Sequence, residues 1–426
     1  MADPYPIRPI TADEHAAFRL VHEHAFNIGP ARAADWPRLT RQFEADRSLA
    51  AFDASLPANA GLVGTAGAYS LRMSVPGAVL AIAGVTAVSV MPTYRRRGIL
   101  RSLMRRQIAD IAARGEECAA ALWASETPLY GRYGYGRASS HAFFRFGRGE
   151  GAIGATAPTD QALTLRLAAP ADAATELAKV YDTVLPAQPG FFARDEDWWG
   201  RVLSDPEEER HGFGPLRCLI ASGRADTGDA GVRGYALYST AARWEDGTFL
   251  ADCSLVVREL VAADPAAGAA LWGDLLSRDL VTEVIADLRP ADDPVLYQLA
   301  DPRRARPRVA DSLWVRIIDL PAALARRAYA CPVDVVLEVT DELLPENAGR
   351  WRLTADGPDG GVSCDRTSER ADVTLDVREL GAVYLGGTRL GALAAAGLVS
   401  EARPGTLKSL SAAMTWDPAP WCPMIF

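Results

Sequence analysis

Ala83-Gly-Val-Thr-Ala-Val-Ser-Val-Met91, followed by Pro92-Thr-Tyr-Arg-Arg-Arg-Gly98 and Ile99-Leu-Arg-Ser-Leu-Met-Arg-Arg-Gln-Ile-Ala-Asp-Ile-Ala-Ala113, decides the fold of the first part of this chain. The first run is short and rich in β-branched residues, and it is bounded by glycine and proline, which predicts a buried strand. Pro92 ends it and Thr93 to Gly98 form a turn. Leu100, Met104, Ile108 and Ile111 then fall on one helical face, with Ile99 and Leu103 beside them. Arg101, Arg105, Arg106 and Asp110 take the rest of the surface, and Gly115 stops the helix. Cys118 to Trp123 is the next strand. Strand, basic turn, helix and strand together predict a right-handed crossover between parallel strands.

Outward from this unit the chain divides into three blocks, 1–150, 151–308 and 309–426. The small, flexible stretch from Gly147 to Pro158 closes the first, and Asp301-Pro-Arg-Arg-Ala-Arg-Pro307 closes the second. The second block holds an echo of the unit. Leu255 to Ala262 is a strand, Asp264 caps a helix over Ala266 to Leu276 with Pro265 at its first position, and Val281 to Ala286 is a second strand. Its turn carries no basic residue, so the echo reads as a degenerate copy without an anion site. The third block changes style. Val335–Thr340, Arg350–Thr354 and Ala371–Val377 are strand-like, and short helices follow around 378–383, 389–396 and 407–413, an α+β pattern with no nucleophile motif.

Composition bounds the function. The chain has 426 residues, 49% hydrophobic and 23% charged, which is globular and large enough for more than one core. The net charge of −9 argues against a protein that coats nucleic acid. No apolar run approaches the length of a spanning helix. The start of the chain lacks the basic and apolar blocks of a signal peptide, and the six scattered cysteines form no C-x-x-C pair, so a cytoplasmic protein with reduced thiols is expected. His22-Glu-His24 has no third ligand near it in sequence, and no metal site is expected.

The chemistry concentrates at Arg95-Arg-Arg-Gly98-Ile-Leu100. A helix start leaves unpaired N–H groups and a positive dipole end, Gly98 lets an anion approach the backbone, and three arginines add charge, an environment that fits a pyrophosphate. The alternative is a solvated turn that merely caps the helix. Val88-Ser-Val90 offers a backbone edge to an extended, amide-bearing arm. Leu129-Tyr-Gly-Arg-Tyr-Gly-Tyr135 follows the next strand, on the side where parallel strands end and ligands collect. A phenol there, Tyr130, can protonate a departing thiolate. Aromatic packing is its alternative role.

These residues carry a resemblance. The basic turn in its strand–helix–strand setting, followed by Leu-Tyr-x-x-x-Gly-Tyr, resembles the GCN5-related N-acetyltransferases (GNATs), and within them the enhanced intracellular survival (Eis) family. Ile28-Gly-Pro30, Trp36, Ala124-Ser-Glu126, Leu313 to Ile318, Pro321 to Leu324 and Tyr384-Leu-Gly-Gly387 extend it along nearly the whole chain. The resemblance implies an α/β and α+β fold, two tandem GNAT-like domains and a C-terminal sterol-carrier-protein-like domain. It also implies acetyl-CoA as co-substrate, a homohexamer built as a dimer of trimers, and acetyl transfer to a primary amine. Acetyl-CoA would lie against Val88, Ser89 and Val90, with its pyrophosphate over Arg96, Arg97, Gly98, Ile99, Leu100 and Arg101, and with Ser125 and Glu126 nearby. Tyr130 matches the family's general acid, and the α-carboxylate of Phe426 its base.

The resemblance also bears on the acceptor. Family members that acetylate aminoglycosides carry acidic residues before the Ile-Gly-Pro segment and beside the terminal residue; here those stretches are His24-Ala-Phe-Asn27 and Ile425. A more apolar acceptor site is expected, for an aminoglycoside-like, polyamine or lysine-type amine. A competing reading is a lipid-, sterol- or acyl-CoA-binding module on a non-catalytic GNAT scaffold, motivated by the third block and by the apolar tail Trp421-Cys-Pro-Met-Ile-Phe426.

Overall fold

The computed structural model describes residues 4–57, 61–223, 231–244, 246–248 and 250–426. Contacts divide the chain into two units, Met1–Ser139 with Ser312–Asp417 and Met424–Phe426, and Ser140–Asp311 with Pro418–Pro423.

The first unit is built on a seven-stranded sheet. Its elements are β1 (Ile7–Pro9), α1 (His15–Phe26), α2 (Trp36–Arg41), β2 (Leu49–Phe52), β3 (Leu62–Val75), β4 (Ala78–Val90), α3 (Ile99–Arg114), β5 (Ala119–Trp123), α4 (Thr127–Tyr130) and β6 (Gly136–Arg137). The strand order is β1-β2-β3-β4-β5, then Leu313–Ile317, then β6. β3 and β4 form a long antiparallel hairpin, and β4 and β5 run parallel through the α3 crossover, as the opening stretch predicts. α3 buries the expected face. Ile99 and Leu103 pack with Leu49, Ala51, Val63 and Ala66, while Met104, Ile108 and Ile111 pack with Ala83, Val85, Ala120 and Leu122. Gly115 ends α3 in a left-handed C-cap, φ 67°.

The same unit holds a five-stranded sheet in the order Val362–Arg366, Gly349–Ala355, Val333–Thr340, Val373–Asp376, Val399–Glu401. The helix Val377–Val383 joins it to the first sheet. Gly381 lies against the Val315 carbonyl, and Gly136 of β6 lies against the Arg378 carbonyl and the Ala382 amide, closer than any β-carbon permits. A buried ion pair, Arg316 to Asp341 at 2.7 Å, reinforces the junction.

The second unit repeats the plan. Its sheet runs Arg308–Asp311, Ser140–Gly147, Val281–Pro290, Cys253–Ala262, Val232–Ala241, Arg217–Gly223, Leu163–Ala168. Cys253–Ala262 and Val281–Pro290 are parallel, joined by the helix Pro265–Ser277, and the Asp264 carboxylate caps that helix by accepting from the Ala266 and Ala267 amides. Trp272, Leu271 and Leu275 of the helix fill the core against Phe144 and Phe146.

Two strands are exchanged across the block boundaries read from the sequence. Ser140–Gly147, ahead of residue 150, pairs in the second sheet with Val281–Pro290. Leu313–Ile317, after residue 308, pairs with β5 and β6 in the first. Among the described residues no helix is long and apolar enough to cross a membrane, and all six cysteines are free thiols.

Candidate active site

β4 and β5 pair only over three residues, Ile82–Gly84 with Ala119–Ala121. Beyond Gly84 the two strands part, β4 continuing to Val90 and β5 to Trp123. A bulge turns β4 away. Thr65 stands opposite Ser89 and Gly67 opposite Thr86, so Ala87 and Val88 together face the single Ala66. Ala87 takes φ 49°, and its carbonyl accepts from the Thr65 hydroxyl at 2.7 Å. Past the bulge, Met91 donates its N–H to the Val63 carbonyl at 2.9 Å. Backbone groups alternate sides along a strand, so the Val90 N–H points the other way, into the gap that β5 has left. Val88 and Val90 pack toward α3, and the Ser89 side chain takes the opposite face, toward α1.

The basic turn lies at the end of that gap. Gly98 is the N-cap of α3 at φ 85°, with open space where a β-carbon would stand, and Arg96 is also left-handed at φ 64°. Ser102 is the first residue to bond back into the helix, its N–H to the Gly98 carbonyl at 3.1 Å. The N–H groups of Ile99, Leu100 and Arg101 therefore have no intrahelical acceptor and face outward at the positive end of a 16-residue helix. The arginines divide in role. Arg95, Arg96 and Arg101 are exposed. Arg97 is committed to the protein: it donates to the Tyr5 hydroxyl at 2.9 Å and to the Thr93 carbonyl at 3.1 Å, and it stacks on the Tyr94 ring. Its guanidinium pins the turn, and only its backbone is left for an anion.

Tyr130 ends α4 and is 6% exposed, in one apolar cluster with Val88 and Leu100. Burial pushes its hydroxyl up to about 12, against a hydrogen bond with the Ser125 side chain that lowers it. Ser125 and Glu126 are exposed, and the Glu126 carbonyl accepts from Leu129 to start the α4 turn. Tyr135 supports Tyr130 edge to face, ring centres 6.1 Å apart, and is itself fully buried. Gly134, at φ 78°, lets the Arg316 guanidinium come against the backbone beneath this turn. Tyr133 and Tyr135 are buried packing residues of the same cluster.

Phe426 lies at the point where the strands part. A β-carbon on Gly84 would sit 3.3 Å from Phe426 Cε2, so the terminal ring covers the last paired residue of β4. Phe426 is buried, and the Trp123 indole of β5 anchors the tail by donating to the Met424 carbonyl at 2.9 Å. The structure thus gathers Val88, Ser89, Val90, Tyr130 and Phe426 around one gap, with the Gly98 turn at its end. The sequence carried no local signal for the bulge at Ala87 or for Trp123 as the anchor of the tail.

The α1 side of the gap is poor in free acid. Asp35 is paired with Arg32 at 2.9 Å and with Arg38 at 3.7 Å, while Glu23 pairs with Arg19 at 2.8 Å and accepts from the Ala31 amide. Phe26 and Ile28 are exposed at the end of α1. A groove of about 640 Å³ at the far end of α3, lined by Ala112, Cys118, Leu343 and Trp351, holds none of the expected site residues.

In the second unit the corresponding gap is closed. Where Cys253–Ala262 and Val281–Pro290 cease to pair, the buried Arg289 guanidinium bridges them, donating to the Leu260 carbonyl at 2.8 Å and to Asp293. Trp421 stacks on Arg289 at 4.7 Å and donates its indole N–H to the Leu288 carbonyl. A side chain occupies the space that a ligand needs.

Comparison with known proteins agrees with this architecture. Models of the acetyltransferase (GNAT) domain match residues 6–138 and 190–317, and a model of the sterol carrier protein domain matches residues 320–423. An uncharacterized N-acetyltransferase of Streptomyces coelicolor is 43% identical over 94% of each chain. The N-acetyltransferase Eis of Mycobacterium tuberculosis is 33% identical over 96% of each. The crystal structure of Eis1 from Mycobacterium abscessus superposes with a TM-score of 0.79 at 34% identity, covering 99% of this chain and 100% of that one. With two GNAT domains followed by a sterol carrier domain, and relatives of this identity along nearly its full length, this chain belongs to the Eis-like family of N-acetyltransferases.

Proposed function

We propose that this N-acetyltransferase moves acetyl from acetyl-CoA, held in the gap between β4 and β5, to a primary amine of a small molecule arriving from the α1 face. The parting of the two strands beyond Gly84, with the Val90 N–H aimed into it, carries this reading. Acetyl-CoA, when bound, supplies the thioester. Val88 and Val90 offer the backbone edge for the amide-bearing arm. The free N–H groups of Ile99, Leu100 and Arg101, the open left-handed Gly98 and the exposed Arg96 and Arg101 suit a pyrophosphate.

The chain's own groups then divide the work. The Val90 N–H polarises the thioester carbonyl, in a setting where no donor has to reorganise. The Tyr130 hydroxyl, protonated at physiological pH and pushed further up by burial, donates to the departing thiolate. The α-carboxylate of Phe426 holds the ammonium of the incoming amine. Its unperturbed pKa of about 3.5 makes it a better anchor than base. Confinement of both reactants at one gap supplies much of the acceleration.

The exposed Phe26 and Ile28, with Asp35 and Glu23 already neutralised, favour an amine on an apolar body over a polycation. Polyamines, lysine-type amines and aminoglycosides rank below it. The carrier reading finds less support. A groove of about 600 Å³ in the third domain sets Leu407 and Ala412 beside three charged residues, Arg389, Glu401 and Lys408, which a wholly apolar ligand would have to desolvate.

Thiol release from acetyl-CoA, measured against a panel of amines, tests the proposal. Release that depends on a supplied amine is expected, and release that no amine stimulates would defeat it. An amide at the C-terminus is expected to raise the amine KM severalfold; full activity with the terminus blocked would remove Phe426 from the site.

A further inference from the structure

His22 and Ser89 meet on the α1 face of the gap. The imidazole reaches from α1 to the sheet, with Nδ1 3.2 Å from the Ser89 hydroxyl oxygen. Ser89 is 4% exposed and lies directly before Val90, whose N–H enters the gap. Its side chain points to the same face on which the Phe426 ring covers Gly84. His22 is only partly buried, and Phe26, one helical turn on, lies against its ring with centres 4.4 Å apart. The pair therefore lies on the α1 face, from which the proposed amine would enter, with His22 at its solvent side, and it adjoins the backbone that would polarise the thioester.

Its protonation state fits a receiving role. Burial holds the imidazole below its ordinary pKa; Arg19 acts the same way and Glu23 opposes. Those two charged groups stand on its own helix. From the strands that α1 covers come the Ser89 hydroxyl of β4 and Tyr69 of β3, which is opposite Gly84 in register, and the terminal residue Phe426 is on that face too. At neutral pH the imidazole is uncharged and can take a proton. Among the described residues no group of metal-ligating side chains forms around His22.

We infer that Ser89 and His22 form the path by which the attacking amine loses its proton. The inference rests on the acetyl-transfer reading above. The ammonium held by the terminal carboxylate first gives one proton to Ser89 Oγ as the Ser89 proton moves to His22 Nδ1, and the imidazolium releases it to water. The lone pair so freed forms the C–N bond as the C–S bond breaks, and the thiolate takes the Tyr130 proton. The second proton on nitrogen leaves by the same path and Tyr130 regains one from solvent, so a turnover that starts from the ammonium returns one proton to water. The terminal carboxylate is left with the anchoring role that suits it.

The test compares wild type with His22→Gln and Ser89→Ala, using an amine that wild type acetylates, from pH 6 to about 9.5. The glutamine amide keeps a hydrogen-bonding group beside Ser89 but cannot accept the proton. The expected result is a kcat at pH 7 lower by about a hundredfold in both variants, the usual scale of general base catalysis. The acetyl-CoA KM stays within about twofold, and the deficit narrows as rising pH deprotonates the amine in solution. A His22→Gln enzyme with wild-type kcat overturns the inference, as does a deficit that is the same at every pH or that follows the acetyl-CoA KM. If Ser89→Ala does not fold, His22→Gln, at a partly exposed position, decides alone. Amine-dependent thiol release by wild type separates the two proposals. Its absence defeats the acetyl-transfer reading and this inference with it, whereas an active wild type with an indifferent His22→Gln defeats only this one.

Discussion

Tyr130 shows how one residue takes its role from its surroundings. A phenol at its ordinary pKa of about 10 is already protonated at neutral pH. Burial pushes this one up to about 12, which in the proposed reaction keeps the proton available for the departing thiolate. Because the folded value lies above the unfolded one, the buried phenol contributes stability that is fully present below pH 10 and is lost as pH rises toward 12. Tyr130→Phe is expected to lower kcat by about a hundredfold or more. It should cost roughly 1 kcal/mol or less in stability, since it removes a single hydrogen bond, that with Ser125. Thiol-release kinetics with a calorimetric titration of CoA checks it, CoA affinity being expected to stay near wild type; unchanged turnover would remove the hydroxyl from the chemistry. Sequence letters did not separate neighbouring residues this finely. Arg96 and Arg97 read alike, yet Arg97 is taken by Tyr5, a partner far away in the chain, and no local pattern records that bond.

At the scale of elements, what was legible was local. The strand before the turn, the α3 face, the Gly115 stop, the Asp264 cap and the helix of the second copy all follow from residues within one or two turns of each other. The bulge at Ala87 was not legible, because an alanine at positive φ carries no compositional signal, and it is forced by pairing with β3. The exchanged strands were not legible either. Leu313–Ile317 reads as an apolar strand, but nothing near it names β5 as its neighbour. The contact that seats the helix Val377–Val383 on the first sheet depends on two glycines, Gly136 and Gly381. Gly136→Ala would drive a methyl into the Arg378 carbonyl and the Ala382 amide, both backbone groups that cannot rotate away. A loss of roughly 3 kcal/mol or more is expected, the overpacking scale at its upper end. Thermal unfolding by circular dichroism measures it, and a melting temperature unchanged from wild type would show that the helix is free to move.

Across the whole molecule, one copy of a duplicated fold keeps its gap and the other fills it. In the first unit β4 and β5 part and leave backbone donors free; in the second, Arg289 and Trp421 occupy the equivalent place. Charge alone hinted at this, through a turn without arginine, but the plug itself is a tertiary event. The exchanged strands also mean that a fragment 1–150 lacks Leu313–Ile317, which pairs with all five residues of β5. Such a fragment is expected to aggregate or to melt without cooperativity, because Ala119–Trp123 becomes an exposed, uncharged edge. A soluble fragment with a cooperative transition and wild-type CoA affinity would contradict that. The proposed acetyl transfer depends on the open gap of the first unit, and the most direct measurement is a crystal structure of the full chain with acetyl-CoA. The diphosphate is expected on the amides of Ile99, Leu100 and Arg101, with the thioester oxygen facing Val90. Coenzyme bound in the second sheet, or a β4–β5 gap that stays empty at saturating coenzyme, would contradict it.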